Sequence, residues 1–129
     1  MMDPQSLRFA PTHEWVSLQG DVATIGISKF AVDQLSDLTL IELPAVGTRL
    51  AADKSFGEVE SVKSVSDLYA PVAGEVVEVN DAVSGNVQLL SDDPYGAGWL
   101  IKLRVSDPSA VSGLMDHDAY EKRVAEEPD

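Results

Sequence analysis

Cysteine is absent from the 129 residues, and its absence excludes disulfides, thiolate metal sites and cysteine nucleophiles. Any thiol chemistry has to arrive on a cofactor. Histidine is scarce too. His13 and His117 are the only two, and they stand far apart in sequence, so a zinc site would need several carboxylates and no metal centre is expected. There is no glycine-rich phosphate loop with a following lysine and no Gly-x-Ser-x-Gly elbow. Gly96-Ala97-Gly98 is too short for a dinucleotide fingerprint and reads as a turn. No enzyme class is indicated by these residues.

No apolar run approaches the ~20 residues of a membrane-spanning helix. Met1 to Gln5 shows neither the basic-then-apolar start of a secretion signal nor the Arg-rich pattern of a transit peptide. The expectation is a cytoplasmic protein with no membrane partner. Basic residues are few: 9 against 22 acidic ones, for a formal net charge of −13. Such a surface repels phosphate backbones, so no nucleic-acid partner is expected either. The acidity serves solubility, or steering onto basic docking patches, and composition leaves both open.

With 44% apolar residues, the chain can bury one core without staples. Residues 1–129 are therefore read as a single domain, with 1–11 an extended lead-in and 125–129 a frayed tail. Trp15-Val16-Ser17-Leu18 and Val22 to Ile27, around Gln19-Gly20-Asp21, read as a β-hairpin. Ser28 caps a short helix to about Leu35. Leu38 to Leu43 is a strand stopped by Pro44-Ala45-Val46-Gly47. Phe56 to Tyr69 exceeds the usual strand length, so a turn is expected inside it, although no Gly, Pro or Asn marks one.

Gly74 to Val79 is a further strand, and Asn80 to Gly98 reads as loop. Trp99, Ile101, Leu103 and Val105 alternate with Lys102 and Arg104, as in a half-buried strand. Ser106-Asp107-Pro108 opens one helix and Asp116 caps another, to about Val124. Pro44 to Gly47 and Pro71 to Gly74 share a Pro-x-x-Gly spacing, which is either a trace of internal duplication or coincidence. The whole is mainly β, with small helices near each end.

One lysine stands out by context. If the run from Phe56 folds back on itself, Lys63 falls near the fold point and projects into solvent. An amine there is open to an acylating enzyme, which would have to deprotonate it, since an ordinary lysine is almost wholly charged at neutral pH. From the residues alone, a plain solvated lysine is the competing reading.

The segment Glu60-Ser61-Val62-Lys63-Ser64-Val65-Ser66-Asp67-Leu68-Tyr69-Ala70-Pro71-Val72-Ala73-Gly74-Glu75-Val76 resembles the lipoylation site of glycine cleavage system H proteins. The likeness extends to His13-Glu14-Trp15-Val16, Gly20 to Ile27, Ile41 to Gly47, Val79-Asn80 and Asp93 to Leu100. In all it runs from about Thr12 to Tyr120. Related 2-oxoacid dehydrogenase lipoyl domains usually set Asp before the lysine, and biotin carriers set Met on both sides. Ser64 stands where many members have Ala, Ser36 where Gly is common, and Val87 where Pro is common.

The resemblance implies a hammerhead-like lipoyl/biotinyl fold, a flattened β barrel-sandwich with short peripheral helices and with Lys63 at a hairpin turn. It implies lipoate in amide linkage to Lys63 and a carrier rather than an enzyme. The carrier would shuttle an aminomethyl group from a pyridoxal-phosphate-dependent glycine decarboxylase to an aminomethyltransferase, and the dithiol to dihydrolipoamide dehydrogenase. A lipoyl-attachment enzyme would load it, and a monomer suits a shuttle. Glu14 and Asp67 match acidic family positions implicated in holding the cationic arm, against the alternative of solvated carboxylates. Trp15 and Trp99 are read as packing residues. The alternatives are an H-like protein that relays lipoyl groups to other complexes, and an unmodified interaction domain.

Overall fold

Glu14–Gln19 (β2) and Val22–Ile27 (β3) pair antiparallel, Gln19 opposite Val22. Gly20 takes φ +65° at the first position of their turn, the left-handed conformation that a tight hairpin asks for and glycine adopts without a Cβ penalty. Ala23, Ile25 and Ile27 alternate inward along β3, the two-residue period of a strand.

The computed structural model describes residues 6–35 and 37–126. The first five residues of the lead-in, the tail beyond Glu126 and the family departure at Ser36 lie outside the described residues.

The hairpin belongs to a six-stranded antiparallel sheet ordered β1-β2-β3-β9-β8-β5, where β1 is Arg8–Phe9, β9 Ile101–Val105, β8 Gly74–Val79 and β5 Arg49–Leu50. A second sheet holds three strands in the order β4-β6-β7: Leu38–Glu42, Ser55–Ser61 and Val65–Tyr69. Val16, Ile25, Val76 and Leu103 from the larger sheet join Ile41, Val59 and Leu68 from the smaller in one core. Full burial of each large aliphatic contributes about 1.5–3 kcal/mol. This is the mainly β barrel-sandwich, with short peripheral helices, that the sequence led us to expect.

The far face of the larger sheet is covered as well. Leu7, Phe9, Trp15 and Tyr120 form a second buried cluster, capped by α4 (His117–Glu126), whose start is held by the Asp116 carboxylate accepting from the Ala119 amide at 2.9 Å. β2 is therefore apolar on both faces near its start, Trp15 outward and Val16 inward. The lead-in is no loose extension there: Phe9 pairs with Trp15 and is fully buried.

Two expectations need correction. Asn80 to Gly98 is not one loop but contains α2 (Asp81–Gly85) and α3 (Leu89–Asp92). Both are too short to show a 3.6-residue period, and they form because Asn80 caps the first while Val83 and Leu90 plug into the core. The strand after Gly98 begins at Ile101, with Leu100 buried and Trp99 half-buried outside it, so the alternation stops short of Trp99. The helix expected after Ser106-Asp107-Pro108 is present as a 3₁₀ helix, Pro108–Gly113, with the Asp107 carboxylate capping its start. The two Pro-x-x-Gly stretches also differ, since Gly47 takes φ +95° while Gly74 starts β8 without a positive φ.

Candidate functional site

β6 and β7 form the expected hairpin, with Glu60 opposite Val65 and a turn through Val62 and Lys63. The turn has no glycine because it needs none: no residue from Ser61 to Ser64 has a positive φ. Serine builds it instead. Ser61 Oγ accepts from the amides of Lys63 (3.3 Å) and Ser64 (3.1 Å), and the Ser61 amide donates to the Ser64 carbonyl at 2.8 Å. A hydroxyl that captures backbone amides two and three residues on is a known turn former. It was the signal in the sequence that a search for Gly, Pro and Asn missed. The Val62 amide donates to the Asp37 carbonyl at 3.0 Å, anchoring the tip to the segment before β4.

Lys63 is exposed on that tip, beside Val62 at 70% and Val65 at 56% exposure. Among the described residues no side chain pairs with its amine. At about 3.3 Å per extended residue, Ser66 and Asp67 lie at most ~10–13 Å along the chain from it.

Ser66 and Asp67 belong to the rim of a cavity of about 400 Å³. One wall is α1 (Lys29–Leu35), contributing Phe30, Ala31 and Leu35, and the other is the Thr12-His13-Glu14 segment at the start of β2. Ile27 and Leu68 complete an apolar lining. Ser28 starts α1 as expected, its hydroxyl accepting from the Ala31 amide at 3.3 Å. Both sequence candidates for acidic contacts, Glu14 and Asp67, line this one cavity.

Their environments differ. Asp67 is exposed. Glu14 is 1% exposed, and its carboxyl accepts from the Thr12 hydroxyl and, through Oε2, from the Tyr69 amide at 3.0 Å. Burial pushes Glu14 up from 4.5 to about 7; the bonds from Thr12 and Tyr69 oppose that rise, and the nearby Asp53 charge adds a little to it. On the outer face of the smaller sheet, Glu42, Glu58 and Asp67 stand opposite one another across three strands. Partial loss of water raises the Glu58 carboxyl above its ordinary value, and the Glu42 and Asp67 charges add to the shift.

Trp15 is fully buried, its indole N–H donating to the Pro94 carbonyl at 3.0 Å, and Trp99 is half-buried with the Lys102 ammonium 5.0 Å from its ring centre. Both are packing residues in this structure. Among the described residues no three His, Asp or Glu side chains are grouped to hold a metal ion, and no helix is long and apolar enough to cross a membrane.

Residues 7–127 match the family model described as glycine cleavage H-protein. A glycine cleavage system H protein from a Cyanothece strain is 49% identical over 121 residues, 94% of each chain. One from a Synechococcus strain is 51% identical over the same length and coverage. The crystal structure of a glycine cleavage system H protein from Mycobacterium marinum superposes with a TM-score of 0.87 at 37% identity, over 95% of this chain and 99% of that one.

Proposed function

The chain belongs to the glycine cleavage H-protein family and is a lipoyl-carrier protein of glycine cleavage, and from that premise we propose that Lys63 carries the lipoyl group and that the cavity beside α1 receives the arm. The observation that carries this reading is the conjunction of an exposed lysine on a rigid serine-built turn with an apolar cavity that ends on a buried carboxyl.

The residues fit the group. Lys63 offers an amine on a hairpin tip with no side-chain partner among the described residues, and amide formation there removes its charge without breaking any of their contacts. Ile27, Phe30, Leu35 and Leu68 offer an apolar lining for a hydrocarbon arm. When bound, the lipoyl group supplies the two sulfurs that carry the one-carbon unit and the electrons, chemistry that a chain without cysteine lacks.

Glu14 and Asp67 supply the polar end of the cavity. An aminomethyl cargo is cationic at neutral pH and gains from a carboxylate within a few ångströms, most of all where water is excluded. Glu14 sits close to its midpoint at neutral pH. A cation brought beside it favours the charged form, so Glu14 gives up its proton as the cation arrives. Asp67, at the rim, contributes a screened and weaker attraction.

The chain thus acts as a shared substrate rather than a catalyst. Its partners are the glycine decarboxylase, the aminomethyltransferase, dihydrolipoamide dehydrogenase and a lipoyl-attachment enzyme, and its setting is the cytoplasm. An arm on a fixed tip raises the local concentration of its end at each docked active site.

The test is intact mass and peptide mapping after co-expression with a lipoyl-attachment enzyme and lipoate. A lipoyl adduct on Lys63 is expected. An unmodified chain under conditions that load a control carrier, or an adduct mapped elsewhere, overturns the reading.

A further inference from the structure

The Thr12-His13-Glu14 wall and the α1 wall lie at the two ends of the β2–β3 hairpin, and one phenol outside the cavity, from far along the chain, touches both. Tyr120, on α4, is 3% exposed. Its hydroxyl lies 2.8 Å from His13 Nδ1 and 2.6 Å from Ser28 Oγ. His13 is part of the β-side wall beside Glu14, and Ser28 caps the helix that forms the other wall. We propose that Tyr120 is a positioning residue of the cavity, its single hydroxyl joining His13 to Ser28 and holding the two walls at a fixed separation. The purpose assigned to this device rests on the reading that the cavity receives the arm; the device itself does not.

The geometry favours a working contact over incidental packing. The walls are already joined at their base by the β2–β3 ladder, in which Glu14 pairs with Ile27, and the Ser28 amide to the His13 carbonyl at 2.9 Å is the bond just beyond it. Beyond that last bond the Thr12-His13 end and α1 diverge, and the link through Tyr120 ties the two ends together. The donors and acceptors also chain without conflict. With His13 Nδ1 accepting, Tyr120 donates to it, Ser28 donates to Tyr120, and Ser28 Oγ still accepts from the Ala31 amide. The ring is fixed independently by stacking on Phe9, with centroids 4.3 Å apart and planes 8° apart.

His13 holds φ +83°, a left-handed conformation uncommon outside glycine and one that persists only where surrounding contacts enforce it. The bond to Tyr120 is one such contact, and the next residue is Glu14. Loosening His13 would therefore admit water to the buried carboxyl, whose other charged neighbours, Asp53 and Asp67, stay where they are.

The test uses the unmodified full chain. Tyr120→Phe keeps the ring and its stack on Phe9 and deletes only the hydroxyl. Amide exchange at Ser28 and Ala31 should quicken roughly fivefold or more, the scale set by losing one or two hydrogen bonds, while Ile25 and Leu103 in the sheet stay unchanged. Carbon-13 NMR of the Glu14 carboxyl should show its titration midpoint moving down towards the ordinary range. No change at either site, or an equal change throughout the sheet, overturns the proposal.

Should Tyr120→Phe fail to fold, His13→Asn and His13→Gly decide the matter. Asn tolerates the left-handed backbone and keeps a polar atom for the phenol, whereas Gly relaxes the backbone and offers none. Slow exchange retained in the first and lost in the second supports the proposal, and identical behaviour overturns it. A wild-type chain that cannot be lipoylated overturns the carrier reading and the purpose of the cavity, but leaves the exchange and titration results to decide the role of Tyr120.

Discussion

The Tyr69 amide donates to Glu14 Oε2 at 3.0 Å, so a carboxyl on the larger sheet is held by the edge strand of the smaller one. An edge strand exposes amides that its sheet leaves unpaired, and here one of them meets an acceptor 55 residues away in sequence. The contact helps to seal the cavity and to keep Glu14 out of water.

That burial has a pH signature. The Glu14 carboxyl rises from 4.5 in the unfolded chain to about 7 in the folded one, so the folded state binds the extra proton between those values. Stability from this group is therefore greatest below about pH 4.5 and declines as pH rises towards 7. The full span is worth roughly 3 kcal/mol at ~1.4 kcal/mol per unit. Glu14→Gln should remove the slope and be the more stable protein at pH 8, because its amide can accept from Tyr69 while donating to Thr12. Denaturant titrations of both proteins from pH 5 to pH 8.5 check this, and parallel slopes would refute it.

Lys63→Arg should abolish lipoylation and leave the fold unchanged. Arg is no acyl acceptor, and among the described residues Lys63 makes no side-chain pairing that its loss could break, so the stability change should stay within about 0.5 kcal/mol. Mass spectrometry with a thermal melt reads both. An adduct that persists, or a large fall in melting temperature, would count against the assignment.

Gly26→Ala should be among the costlier single changes. A Cβ at Gly26 would lie 2.4 Å from the Trp15 ring, and that ring is fully buried and bonded to the Pro94 carbonyl. It cannot step aside cheaply, so overpacking of about 2–3 kcal/mol or more is expected. The denaturation midpoint reports the loss, and altered Trp15 fluorescence places it.

Asn80→Ala should destabilise by about 2–4 kcal/mol. The side chain is 7% exposed. It accepts from the Ala82 amide and donates to the carbonyls of Ala97 (2.9 Å) and Trp99 (2.7 Å), so it ties α2 to the turn before β9. Asn80→Asp keeps the cap but turns a charge on two carbonyls and should do no better. A drop under 0.5 kcal/mol in either variant would contradict this account.

Legibility followed the range of the interactions. The Trp15–Ile27 hairpin, the Ser28 cap, the turn inside Phe56–Tyr69 and the helix after Asp116 could be read because each rests on residues close in sequence. The two short helices between Asn80 and Asp93 could not, because they exist through burial of Val83 and Leu90 against strands elsewhere. Leu100 broke the alternation expected before Ile101 for the same reason.

The candidate site divides in the same way. Lys63 stood out by its context, where a plain solvated lysine was the competing reading, and its proposed role, like those of Glu14 and Asp67, came from the resemblance. Nothing in the sequence singled out Tyr120, which meets His13 across 107 residues.

The sequence by itself determined the strand pattern and the caps, since local backbone preferences and side-chain periodicity act over a few residues, and the resemblance of its segments pointed to the family and to Lys63. The tertiary structure alone decided that Glu14 is buried while Asp67 is not, that both border one cavity, and that Tyr120 joins its walls. Desolvation and cavity shape depend on which distant segments pack together, and that is written in no short stretch of chain.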